Sequence, residues 1–527
     1  MTPADLEWAT LFRRRLTRRD LLRVGGSAAA LAAAGCLPAR RGDPAPRFAS
    51  DPFRLGVASG DPAPDGVVLW ARLSPEALLE AGAARSRVAV RWEVAHDEGF
   101  RSVARRGEAL ALPELGHSVH AEVEGLEAGR GYFYRFLSGG AESPVGRTRT
   151  APGAGASPSE LRFAFASCQN WEHGYYTAFR HLSEEDLHFV LHLGDYIYEK
   201  RFGDNNVREH EAGEVFTLDE YRARYALYRS DPDLQAAHAA FPWIVTTDDH
   251  EVDNNYAGAV PEDDQDPAAF LLRRAAAYQA YYEFMPLRRS SMPAGPDMAL
   301  YRGVRFGDLA ELFVLDTRQY RSDQACGDGQ KVPCVEWSAP ERVFLGDEQE
   351  AWLQDGLRRS RGRWNALGNQ VLMAQLLGVD ERGERTVRMD NWNGYPVARR
   401  RLLDFLARER PSNPVVLTGD IHSSWVADLR RDFDDPDTPA VATEFVGTSI
   451  TSGGDGRETF GGFEESRTLN PHIRFFNGRR GYVRVRLTPE LWTTDYRVVP
   501  FVSRPGAPVE TRATFVVEDG RAGAEEG

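Results

Sequence analysis

The sequence predicts an α/β protein in two parts, an N-terminal β-sandwich followed by a larger α/β domain, and three observations carry that prediction. Residues 53–150 show short apolar runs at strand length with no helical periodicity. From residue 160 onward, apolar strands alternate with stretches of helical spacing. The strands of this second part each run into a polar cluster, and open α/β sheets build their ligand sites beyond the carboxyl ends of strands.

Size and charge set the bounds. With 527 residues the chain holds two to four domains at ~100–200 residues each. The 64 Lys+Arg against 78 Asp+Glu leave a net charge of −14, which argues against a broad basic face for nucleic acid. Mean hydropathy is −0.46, and no long uncharged apolar run follows the N-terminus. A polytopic membrane protein, needing ~20 apolar residues per span, is therefore excluded.

Thr17-Arg18-Arg19-Asp20-Leu21-Leu22 precedes an Ala/Gly-rich run at 24–34, which reads as a twin-arginine signal peptide over 1–36. The expected partner is the twin-arginine translocation machinery, and the expected destination is the periplasm or the exterior. Leu31-Ala32-Ala33-Ala34-Gly35-Cys36 also resembles a lipoprotein box, so a lipid anchor on Cys36 and a plain signal-peptidase cut both stand. Residues 37–52 are expected to be a linker.

Strands are predicted at 67–73, 88–94, 117–123 and 132–136, the pattern of an immunoglobulin- or fibronectin-like β-sandwich over 53–150. A linker at 151–159 leads into the larger α/β domain, 160–516. There, strands are expected at 162–166, 189–193, 243–247, 310–315, 364–368 and 414–418, with helices at 218–229, 268–284, 349–359 and 397–409. A hairpin at 482–487 and 492–498 closes the domain, and 517–527 is expected to be a flexible tail. Cys326 and Cys334 bound a loop short enough for a local disulfide, which leaves Cys168 as a thiol without a structural partner.

The polar clusters are Ser167-Cys168-Gln169-Asn170, Gly194-Asp195-Tyr196-Ile197-Tyr198-Glu199, Asp248-Asp249-His250-Glu251-Val252-Asp253-Asn254-Asn255, Asp316-Thr317-Arg318-Gln319-Tyr320, Gly368-Asn369-Gln370 and Gly419-Asp420-Ile421-His422-Ser423-Ser424. Any one of them reads as a turn or a helix cap. Converging, they would set several carboxylates side by side, at several kcal/mol each unless cations neutralise them.

In this order the motifs resemble the PhoD-like alkaline phosphatase family, a branch of the calcineurin-like metallophosphatases, over roughly residues 53–516. The resemblance implies a metallophosphatase-type αββα sandwich behind the N-terminal β-sandwich. It also implies a ferric ion (Fe3+) with one or two calcium ions (Ca2+). On that pattern Cys168, Tyr198 and His422 are expected on iron, Asp195 as the bridge, and Asp249, Asp420 and Asn254 on calcium. Thiolate and phenolate suit a trivalent ion, and carboxylate and amide oxygens suit a hard divalent one.

The expected reaction is hydrolysis of phosphomonoesters, and by extension phosphodiesters, by attack of a metal-bound hydroxide or oxide. His250 is the candidate to protonate the leaving oxygen, and either Arg229 or Arg318 is the candidate clamp on the phosphoryl oxygens. Alternatives are a phospholipase D-like diesterase, a non-catalytic phosphate- or polymer-binding protein, and a phosphatase with Ser423, Ser424 or a threonine as nucleophile.

Overall fold

A computed structural model describes residues 46–527 except 205, 264 and 462. The expected signal peptide, Cys36 and most of the expected linker lie outside the described residues.

Two mixed sheets pack face to face, and period-2 alternation explains how each strand serves two layers. In the strand Leu161–Ala166, Leu161, Phe163 and Phe165 enter the core between the sheets, while Ala164 and Ala166 face an outer helical layer. In the opposite sheet, Leu312 and Val314 point to the shared core and Phe313 points outward. Helices Leu218–Arg229 and Pro267–Phe284 cover the first sheet, and Asp347–Arg359 and Pro396–Glu409 cover the second. This is the helix–sheet–sheet–helix sandwich that the resemblance implies.

Leu161–Ala166, Phe189–His192 and Pro242–Val245 run parallel in one sheet. Ala310–Val314, Trp364–Gly368, Pro414–Thr418 and Ala440–Val446 run parallel in the other. The long strand Ile473–Leu487 belongs to both: its first part pairs with Ser424–Arg430 and its second with Leu161–Ala166. Ala440–Val446 was not anticipated, although its Ala-Thr-Glu-Phe-Val alternation ahead of Gly447 is a strand signal.

The N-terminal part is a sandwich whose facing sheets share one apolar core, from Val67, Leu69 and Ala71 on one side to Val90, Tyr134 and Phe136 on the other. It is not a free-standing module. The strand Val57–Ala63, also unanticipated, pairs antiparallel with Gly66–Arg72 and parallel with Pro242–Val245, so one sandwich sheet continues into the first catalytic sheet. Strand Val103–Ala111 was missed too, since its exposed Arg and Glu residues break the alternation.

The last residues also depart from the expected tail. Glu510–Glu518 continues the sheet, and Glu525–Glu526 folds back to pair with Phe515 and Val516. Cys326 and Cys334 form the expected disulfide. No described helix is long and apolar enough to cross a membrane.

Candidate metal centre

The loops after the parallel strands meet at one edge of the sandwich, and glycine lets them approach. A Cβ on Gly194 would lie 2.4 Å from the Asp248 backbone nitrogen, and one on Gly419 would lie 2.6 Å from Ser167 Oγ. Backbone bonds then stitch the loops together: Cys168 N–H donates to Gly194 O (3.1 Å), Gly419 N–H to Gln370 O (2.9 Å) and Ile450 N–H to Ser167 O (3.1 Å).

Five non-glycine residues at this edge occupy the left-handed region: Cys168 (φ 59°), Asp195 (58°), Asn255 (53°), Asp420 (64°) and His422 (56°). Each such conformation costs of order 1–3 kcal/mol and persists only where its surroundings enforce it, which is characteristic of functional sites.

Ligand atoms of Cys168, Asp195 and His422 lie within 4.8 Å of one another, and so do those of Asp195, Asp249 and His250. Asp195 belongs to both groups, the position expected of a bridge. Tyr198 completes the first: its hydroxyl donates to Asp195 Oδ2 at 3.0 Å and stands 3.2 Å from His422 Nε2.

The cluster's groups are strongly perturbed by burial and by one another. Burial, and then the Asp195 carboxylate alongside, push the Cys168 thiol up. Burial also raises Tyr198 and Asp195, and it raises Asp420 to about 6. Asp249 runs the other way: burial raises it, but Arg318 and His250 hold it below the usual carboxylate range. Among the described residues, Oδ1 of Asp195 and Oδ1 of Asp249 are buried acceptors without a hydrogen-bond donor. Converging sulfur, phenol, imidazole and carboxylate donors with two orphaned oxygens fit a bound cation.

A family comparison matches this arrangement. The family model for PhoD-like phosphatase covers residues 163–496, and that for the PhoD-like phosphatase N-terminal domain covers 36–152. The chain belongs to the PhoD-like phosphatase family. It is 50% identical over 519 residues to alkaline phosphatase D of Bacillus subtilis (strain 168), with 97% of this chain and 88% of that protein covered. A solved structure of PhoD superposes with a TM-score of 0.88 at 52% identity, covering 92% of this chain and 93% of that one. The protein is accordingly a phosphoric ester hydrolase of the PhoD type.

Within this PhoD-like fold, some expected site residues stand elsewhere. Arg229 is fully buried away from the cluster, its guanidinium 4.5 Å over the Trp70 ring and bonded to Leu55 O at 3.2 Å. It pins a helix to the N-terminal part and is not a phosphoryl clamp. Arg318 does reach the centre but is also fully buried. Nε bonds to Asp248 Oδ1 (2.5 Å), Nη1 to Asp390 (2.9 Å), and Nη2 lies 3.6 Å from Asp249 Oδ1. It neutralises and positions carboxylates. Asn254 lies in neither ligand group, and its side-chain Nδ2 donates to Glu262. Ser423 Oγ is engaged with Ile421 O (3.1 Å) and Trp425 Nε1 (2.9 Å), which does not suit a nucleophile.

Other residues were not foreseen. Glu199 holds His250 Nδ1 at 2.8 Å. Ser452 Oγ donates to the Cys168 carbonyl (2.7 Å) and stands 2.6 Å from the Tyr198 hydroxyl. Arg480 donates to the His422 carbonyl and, at 3.1 Å, to Ser449 Oγ. Glu251 accepts from the Tyr196 and Asp248 backbone N–H groups at 2.6 and 2.8 Å. Glu199 and Glu251 sit inside motifs already singled out, whereas Ser452 and Arg480 carry no local signal. Phe202, in the segment leading away from Tyr198, packs edge-on against His250 with ring centroids 4.8 Å apart.

Proposed function

We propose that this phosphatase is metal-dependent, that it cleaves phosphomonoesters and, in the same cleft, phosphodiesters, and that it is exported by the twin-arginine route to the periplasm or the exterior. The convergence of Cys168, Asp195 and His422 beside two donorless carboxylate oxygens carries the reading. The residue types favour ferric iron held by Cys168, Tyr198 and His422, with Asp195 shared toward calcium held by Asp249 and Asp420. Bound cations of this kind polarise phosphoryl oxygens and acidify the attacking water.

The chain's own residues do the rest. Glu199 accepts from Nδ1–H of His250 and favours its imidazolium form, in which Nε2 also bears a proton for the leaving oxygen. Tyr198 stacks on that ring at a centroid distance of 4.0 Å and restricts its rotation. Arg318 holds Asp248 and Asp249 in place, and Ser452 orients both Tyr198 and the Cys168 loop.

Metal analysis of protein purified from its own export route, with a panel of monoesters and diesters, tests this. Iron, calcium, a tyrosinate charge-transfer colour and phosphate release that stops on metal removal are expected. A fully active preparation empty of iron and calcium overturns it.

A further inference from the structure

The two arginines expected to clamp the phosphoryl group are both buried, but an exposed one stands on the rim. Arg388 ends the strand Arg385–Arg388, where it pairs opposite Gln330. Arg388 is exposed, whereas Thr386, Val387 and Met389 around it are buried. Two positions on, Asp390 accepts from Arg318, which ties this strand end to the carboxylate cluster. Among the described residues the Arg388 side chain has no hydrogen bond or ion pair. Its charge nonetheless acts on both Asp420 and His422, the half-buried residues at the mouth of the centre.

The strand is held from behind. Gln330–Lys331 lies inside the loop closed by Cys326–Cys334, and Met389 N–H donates to Gly329 O at 2.9 Å. Asp328 of the same loop accepts from Asn255 Nδ2 at 2.5 Å, and Asn255 N–H donates to Asp249 Oδ2 at 2.7 Å.

We propose that Arg388 is the substrate-binding arginine of this centre, presented to the phosphoryl oxygens by a flap that the Cys326–Cys334 disulfide holds in register. The inference rests on the phosphoesterase reading above. A guanidinium offers paired N–H donors to two phosphoryl oxygens, and one without a protein partner gives up no existing bond when substrate arrives.

The test compares the metal-loaded protein with Arg388→Gln, Arg388→Lys, the double variant Cys326→Ser/Cys334→Ser, and that double variant combined with Arg388→Gln. Metal content, kcat, KM for a phosphomonoester and inhibition by inorganic phosphate are measured, together with calorimetric binding of inorganic phosphate. For Arg388→Gln, KM and the phosphate inhibition constant should rise about tenfold, as for loss of a charge-assisted hydrogen bond, with kcat within about twofold and metal content unchanged. Lysine should restore part of the loss. Removing the disulfide should raise KM in the same direction, and adding Arg388→Gln should add little, because both act through one group. Unchanged KM and phosphate affinity in Arg388→Gln overturn the proposal, as does a loss that tracks metal content. Full additivity overturns the role of the disulfide. If the unmodified protein releases phosphate from no ester, the phosphoesterase reading fails instead, and the calorimetry still decides Arg388.

Discussion

The two halves of the centre are built differently. On one side Cys168, Asp195 and His422 lie within 4.8 Å of one another, each in the left-handed region, and Tyr198 is bonded across them. On the other side Asp249 joins Asp195 and His250, Asp420 is half-buried, and Asn254 Nδ2 donates to Glu262. Left-handed residues occur in both halves, Asp420 and Asn255 among them, and dense side-chain bonding across Tyr198 marks the first half as pre-organised. The second takes its order from Arg318 and from the Asn255 backbone, an arrangement suited to a hard ion with variable oxygen ligands.

This contrast is easiest to break at the dense end. Cys168→Ala and His422→Ala should each lower kcat/KM by more than about 100-fold, exceeding the usual effect of removing an outer partner, and should lose iron on metal analysis. Asn254→Ala should stay within about tenfold, and an equal loss there would erase the distinction. Next in size, Ser452→Ala should cost about 10- to 100-fold in metal affinity or activity, because it frees Tyr198 and the Cys168 carbonyl together; a metal titration with kinetics checks this.

Away from the centre, the sensitive property is acid stability. His472 is buried, bonded through Nε2 to Gln375 O at 2.7 Å, and faces Arg399, Arg430 and Asp428. Burial, reinforced by the two arginines, lowers it to about 4. An unfolded histidine titrates near ~6.5, so below that pH the unfolded chain takes up a proton that the fold refuses until about 4. Stability should therefore fall by about 2 kcal/mol between pH 7 and pH 5 through this group alone. Denaturant unfolding of His472→Gln at both pH values should show that slope reduced. The smallest expected effect is in turnover of Arg229→Met: kcat within about twofold despite lowered stability, whereas a large drop in kcat would return Arg229 to the site.

Much of the catalytic scaffold was legible in sequence because its strands are short, apolar and β-branched or aromatic, and each runs into a polar cluster, three of them opening on Gly-Asp or Asp-Asp, whose convergence no single turn or cap explains. The ligand candidates were legible for the same reason. The arginines were not. Arg229 over Trp70 and Arg388 on an open rim look alike in a string of letters, since burial depends on which element arrives from elsewhere in the chain. Asn254 sits in a motif full of plausible ligands, yet its direction is set by Glu262 across a loop. Ser452 and Arg480 reach the centre only because Ala440–Val446 and Ile473–Leu487 deliver them, and no local pattern announces that.

The shared strand register at Val57–Ala63 also constrains how this protein can be cut and pasted. A recombinant fragment starting near residue 160 would leave Pro242–Val245 with a bare row of amide and carbonyl groups where Ser59 and Gly60 now align, an open edge that recruits other chains. Expression trials on such a fragment should yield aggregates, while a chain that retains Val57–Ala63 supplies its own edge cover.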